Sequence, residues 1–184
     1  TFTRELRQRG VRLHAQAGVS HIERENNKVQ IYFQDGTSKE FDGVVLASNA
    51  KIALNLLSKP NEAERQVLTM FRYQTNNVVV HSDARFMPKD KGEWRYFNIV
   101  YNPANQETFS TMWFGLEKNL PVFSTNSRAL PFKPRNIHAE FSFEQPIFDQ
   151  HTQQAQQRLA DIQGKQNTWY AGVYSQGHGH HESG

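Results

Sequence analysis

The chain closes on Trp169–Gly184, WYAGVYSQGHGHHESG, where glycines and histidines crowd together behind an apolar run. His178, His180 and His181 carry imidazole nitrogens and Glu182 a carboxylate, the donor types a divalent metal takes. Packed into so short a loop, they lack the wider spacing of zinc frameworks, so no metal is expected. The glycines suggest another chemistry. Gly177, Gly179 and Gly184 have no Cβ, so a backbone leaving a strand there can come close to a ligand. A helix beginning after such a loop would turn its free N–H groups toward the ligand's oxygens. A polar terminus in solvent accounts for the same residues, and both readings stay open on local sequence alone.

Other residues could serve a site. His81 and Asp83 end the run VVVHSD and could form a hydrogen-bonded pair near an active site or brace a strand end. Trp94, Tyr96, Trp113 and Phe114 could wall a substrate pocket, although an aromatic in a strand is more often core. Ser48 and Asn49 could lie beside a ligand or simply cap the helix that follows.

The elements that must position these residues follow from periodicity. Phe2 and Leu6 suggest a short helix closed by Gly10, and VRLHA, Val11–Ala15, alternates as a strand. Val29, Ile31 and Phe33 alternate with polar neighbours, and Asp35-Gly36 supplies a tight turn into a returning strand. Gly43–Ser48 is apolar on both faces and reads as a centrally buried strand. Helices are expected over Lys51–Leu57 and from an N-cap at Asn61. The middle holds four strand-like runs, Asn77–Asp83, Trp94–Tyr101, Phe109–Gly115 and Ile137–Phe143, as in an antiparallel meander. Ala155, Leu159 and Ile162 mark a helix stopped at Gly164, and TWYAGVY returns as a last strand. The fold class is therefore α+β, a mostly antiparallel mixed sheet with flanking helices.

The 184 residues suit one domain or one large piece of a larger protein. A 37% hydrophobic share is globular but lean, as for a chain that buries part of its surface on another segment. The 21 basic and 18 acidic residues are scattered, giving +3 without a run, which argues against a nucleic-acid partner. There is no cysteine, so disulfide and thiolate chemistry are excluded, and a cytoplasmic setting fits. No stretch approaches the roughly 20 apolar residues of a membrane span.

Several blocks together resemble the flavin-containing amine oxidase superfamily, and within it the bacterial branch of NAD/FAD-binding amine-oxidase-like proteins. WYAGVY and GHGHHESG are similar to the family's W-F-A-G-A-Y and G-Y-G-F-H-E-D-G, with Gly177, Gly179, His181, Glu182 and Gly184 matching. His178 and His180 stand where the family has aromatics, and Ser183 where it has an acid. VSHIERENNKVQIYFQDGTSKEFDGVVLASNA is similar to the family's hairpin followed by D-x-V-V-L-A. VVVHSDARFMPKDKGEW, QPIFD and AQQRLADIQGKQNTWYAG fall on later blocks in the right order, Gln145 replacing a histidine.

The resemblance implies an FAD cofactor, a small-molecule substrate, and hydride transfer from substrate to flavin. It places Val19 by its backbone near the adenine and Ala47 and Ser48 near the dinucleotide. It sets Gly172, Gly177, Gly179, His180, His181 and Glu182 at the flavin, with His81, Trp94, Tyr96 and Trp113 facing the substrate. The lysine that many amine oxidases use falls in no block here. The resemblance also divides the chain into residues 1–58 and 149–184 for the FAD-binding domain and 59–148 for a substrate-domain sheet. The family's opening G-x-G-x-x-G is absent from the sequence. The expectation is of a fragment that partners with an N-terminal segment of the same protein and binds FAD weakly without it. A non-catalytic binding module derived from a flavoprotein is the alternative.

Overall fold

The computed structural model describes residues 2–102, 106–126, 130 and 132–177. The chain divides into two compact units: one runs to Arg72 and resumes at Pro146, and the other is Tyr73–Gln145.

The first unit begins with helix α1, Phe2–Gln8, ended by Gly10 at φ +81°. Val11–Ala15 does not continue as the expected strand. Its alternation finds no partner, and Val11 and Leu13 stay 42% and 40% exposed. Strands β1 (Val19–Glu25), β2 (Lys28–Phe33) and β3 (Ser38–Phe41) form an antiparallel sheet in sequence order. Asn26 and Asn27, at φ +51° and +59°, make the β1–β2 turn. Positive φ at both central residues matches the right-handed twist of the flanking strands. The expected second turn forms too: Gly36 takes φ +83°, and Asp35 Oδ1 accepts from the Thr37 N–H at 2.9 Å.

Strand β4, Val44–Leu46, pairs in parallel with β10, Thr168–Tyr170, far along the chain. This pair departs from the centrally buried strand expected of Gly43–Ser48. Leu46 and Tyr170 are buried, but Val45 is 61% exposed and Trp169 43%. Only one face of the two strands is covered among the described residues, and alternation sends Val45 and Trp169 to the other.

Between them, α2 (Ala50–Leu56) and α3 (Glu62–Thr69) start where the sequence indicated. Asn49 caps α2 by accepting from the Ile52 N–H, and Asn61 and Glu64 close a reciprocal capping box on α3. Helix α4, Gln150–Leu159, is capped by Asp149, which also pairs with Arg72. Ile22, Val29, Ala53, Leu57, Val67, Leu68, Leu159 and Ile162 form the core between sheet and helices. Inside it lies an ion pair. Glu64 accepts from Arg24 at 2.9 Å and from the Tyr170 hydroxyl at 2.8 Å, joining β1, α3 and β10. The Arg24 and Glu64 side chains are only 4% and 0% exposed.

The second unit is a five-stranded sheet in the order β6-β7-β8-β5-β9. Its strands are β5 (Tyr73–His81), β6 (Phe97–Asn102), β7 (Glu107–Trp113), β8 (Phe123–Asn126) and β9 (Ile137–Pro146). Strands β6 and β7 pair as the expected meander requires, but β5 is not next to β6: it pairs antiparallel with β8, which follows β7. The short β8 was not anticipated: in PVFSTN only Val122 and Phe123 are apolar, which is too little alternation to read.

The registers divide this sheet into two faces. Phe109, Thr111 and Trp113, Phe123 and Thr125, and Val79 and His81 point to one side, and all are buried. The segment after β5 covers that side. Phe86 and Met87 are buried there, and Trp94 meets Trp113 edge-on at 5.1 Å between centroids. The opposite face leaves Phe97 and Ile99 48% and 67% exposed.

Candidate functional site

In the first unit the two parallel strands end side by side, and the chain leaves β4 through Ala47 and Ser48 and β10 through Ala171 and Gly172. The Ala171 N–H donates to the Leu46 carbonyl at 3.1 Å. Gly172 has φ +144°, a conformation side chains rarely adopt, and a Cβ there would sit 3.6 Å from the Ser48 carbonyl oxygen. The structure thus brings Ser48 and Gly172 together, with Ala47 exposed beside them. In open sheets, ligands bind in the crevice beyond the carboxyl ends of parallel strands.

The loop after Gly172 is held in place by residues the sequence did not single out. Tyr174 is buried and meets Phe71 edge-on at 4.7 Å. Gln156 on α4 donates to the carbonyls of Tyr174 and Gly177 at 3.1 and 3.2 Å. Gly177 has φ +61°. The one available signal was Gln156 itself, a polar residue between Ala155 and Leu159 on the helix. Trp169 lies close over two glycines: its ring would be 2.8 Å from a Cβ at Gly43 and 3.3 Å from one at Gly164. Val19 stands apart from these contacts in the hairpin, opposite Phe33 and before an irregularity in the β1–β2 ladder. Gly179, His180, His181 and Glu182 lie outside the described residues.

In the second unit, His81, Trp94 and Trp113 come together on the covered face of the sheet. Phe123 links them, 5.8 Å from the His81 ring and 5.5 Å from Trp94. Tyr96 is 51% exposed. Asp83 does not pair with the His81 ring through its carboxylate. Its backbone N–H donates to His81 Nδ1 at 3.0 Å, which leaves Nε2 to donate to Thr125 Oγ1 at 2.7 Å. Thr125 in turn meets Thr111 Oγ1 at 2.8 Å. The Asp83 carboxylate binds the Arg85 guanidinium and accepts from the Arg135 N–H at 2.9 Å. Arg85 above all holds that carboxyl far below the usual range.

Burial pushes the His81 imidazole down, outweighing the opposing charge of Asp83. A histidine buried neutral binds fewer protons folded than unfolded, so it costs stability when the pH falls below its unfolded value of about 6.5. We expect the wild-type unfolding free energy to decline from about pH 6.5 toward 5, and His81→Gln to flatten that decline. Urea titrations at several pH values measure both slopes; equal slopes would refute the assignment.

The open face of the same sheet carries a groove of about 600 Å³, a size typical of small-molecule sites. Asn76 and Gln145 bond to each other at its floor, with Thr108, Ser110 and Asn126 beside them and Phe97 and Ile99 along β6. Apart from Gln145, noted where the family has a histidine, none of these was singled out from the sequence. The alternation of Phe97, Ile99 and Tyr101 was the available signal. Among the described residues no cluster of three metal-ligating side chains occurs, and no helix is long and apolar enough to cross a membrane.

Comparison with known proteins gives two findings. A family model described as flavin containing amine oxidoreductase matches residues 1–131. Among solved structures, a CLA-producing fatty acid isomerase from P. acnes is similar at TM-score 0.58 and 18% identity, over 85% of this chain. The chain spans 42% of the length of that protein's chain, and at this identity the likeness shows the fold. No curated protein matches.

Proposed function

We propose, since the chain belongs to the flavin containing amine oxidoreductase family, that it is part of an FAD-dependent oxidoreductase. The complete protein transfers a hydride from a small-molecule substrate to the flavin. The observation that carries this reading is the joint ending of the parallel strands β4 and β10, which brings Ala47 and Ser48 beside Gly172. Bound FAD would supply the two-electron chemistry; the protein's part is to bind, orient and tune it.

The residues present fit that part. A Cβ at position 172 would press on the Tyr174 ring at 3.2 Å, so glycine lets the chain leave β10 over that ring, and Ala47 and Ser48 offer backbone with little bulk beside it. Gln156 and Tyr174 hold the Gly172–Gly177 loop in one conformation, so the cofactor meets a preorganised edge. In this reading the same loop continues to the cofactor through Gly179, His180, His181 and Glu182. The backbone of Val19 meets the adenine. His81, Trp94 and Trp113 act from beneath the substrate wall, stiffening the sheet, and Tyr96 lies at its rim.

The full-length protein from the source gene is expected to be yellow, absorbing near about 450 nm. Ala47→Trp, at an exposed position, should leave the thermal melt unchanged and weaken FAD binding about tenfold or more, about 1.4 kcal/mol. A colourless full-length protein that refuses added FAD would overturn the reading and favour a binding module without redox chemistry.

A further inference from the structure

We infer that the groove on the open face of the Tyr73–Gln145 sheet takes an elongated, uncharged apolar molecule, held by one carbonyl, amide or hydroxyl group, and discriminates against cationic amines. This rests on the reading above, in which the unit faces substrate, and it names the substrate class.

The registers define the groove's lining. Phe97, Ile99 and Tyr101 on β6 stand opposite Met112, Ser110 and Thr108 on β7, and Ser110 stands opposite Asn126 on β8. Asn126 pairs with Val78 on β5, two residues on from Asn76. The Asn76–Gln145 bond brings the end of β9 onto the same face. Alternation then carries Phe143 and Phe141 along it, 45% and 51% exposed. The face is thus a polar strip between two apolar rails.

Among the described residues no lining residue is charged: Gln74, Asn76, Gln106, Thr108, Ser110, Asn126 and Gln145 are neutral polar, and Phe97 and Ile99 are apolar. The acids of β9 go elsewhere. Ser142 bonds to Asn77 on the covered side, so Glu140 and Glu144, in step with it, alternate away from the groove. An ammonium entering the groove would lose water and gain no counter-charge, which is costly. A methylene chain along Phe97 and Ile99 loses nothing, and each buried CH₂ tightens binding about fourfold. An amide side chain can make more hydrogen bonds than the one Asn76 and Gln145 share, so the floor can still bind a neutral polar group.

The test titrates the flavin-loaded full-length protein, by calorimetry at pH 7, with decanamide and with decylamine, which have equal chain lengths, the first neutral and the second cationic. Decanamide should bind at least tenfold tighter. Ile99→Asp, at a 67% exposed position, should reverse the order by weakening the amide and strengthening the amine. Thr108→Asp, also exposed, should do the same if the first variant folds poorly by circular dichroism. Equal or tighter binding of decylamine to the wild type, binding of neither probe, or an unchanged order in both variants would overturn the inference. Flavin absorbance separates the two readings. A colourless protein that still prefers decanamide refutes the oxidoreductase and supports the groove's preference, whereas a yellow protein that prefers decylamine refutes the groove's preference alone.

Discussion

Replacing Glu64 by glutamine should cost the protein about 3–5 kcal/mol, the penalty of leaving a buried charge without its partner. Glutamine suits the third position of a capping box, so the helix start is preserved and the loss reports the ion pair. Arg24 would remain beneath β10 with its guanidinium facing a neutral amide, held to Thr168 and the Lys59 carbonyl. Urea unfolding measures the loss. The double variant Arg24→Met with Glu64→Gln should recover most of it, because neither partner then carries a charge. A single-variant cost under about 1 kcal/mol would show that water reaches the pair and screens it.

The same pair sets an acid limit. Burial alone would raise the Glu64 carboxyl. The Arg24 guanidinium, the Asn61 N–H and the Tyr170 hydroxyl more than offset that and hold it below its ordinary value. A carboxyl depressed in the folded state contributes fully above its unfolded value of about 4.3 and loses that contribution as the pH falls through the lower folded value. Wild-type stability should therefore drop more steeply below about pH 4 than that of Glu64→Gln.

Gly115→Ala should be the most damaging single methyl in the second unit, at about 3 kcal/mol, the upper end for overpacking. A Cβ at Gly115 would lie 1.9 Å from the Leu120 carbonyl oxygen, which cannot yield as a side chain does. That oxygen accepts from the Trp113 indole at 2.7 Å, and the Leu120 N–H donates to the Gly115 carbonyl at 2.9 Å. Displacing it loosens Trp113 from its seat against Trp94, so tryptophan fluorescence should shift together with the loss of stability. Gly92→Ala is the control. There a Cβ meets only the end of the Asp90 side chain at 3.3 Å, and the cost should stay within about 0.5 kcal/mol. Similar costs for the two variants would refute the argument.

Local chemistry was legible in advance wherever the cause was local. Asn49 and Asn61 cap their helices, and Asp35-Gly36 turns its hairpin, because each satisfies backbone groups within a few residues of itself. The pairing of β6 with β7 was legible, since consecutive strands tend to pair. The parallel match of Val44–Leu46 with Thr168–Tyr170 was not, because 124 positions separate the partners and the three apolar residues of β4 fit several neighbours.

The candidate site divides the same way. Gly172 was named through the family blocks and read inside the last strand, but its place beside the Ser48 carbonyl depends on two strands meeting. His81, Trp94 and Trp113 were visible as residues able to line a pocket. Alternation assigns Trp113 and Ser110 to opposite faces of one strand but cannot say which face the rest of the chain covers. By itself the sequence determined the turns, the caps, the alternation and the family blocks, all of which rest on forces acting over a few residues. Tertiary structure alone decided which face is buried, which strand meets which, and that Arg24 finds Glu64, since burial depends on what packs above a residue.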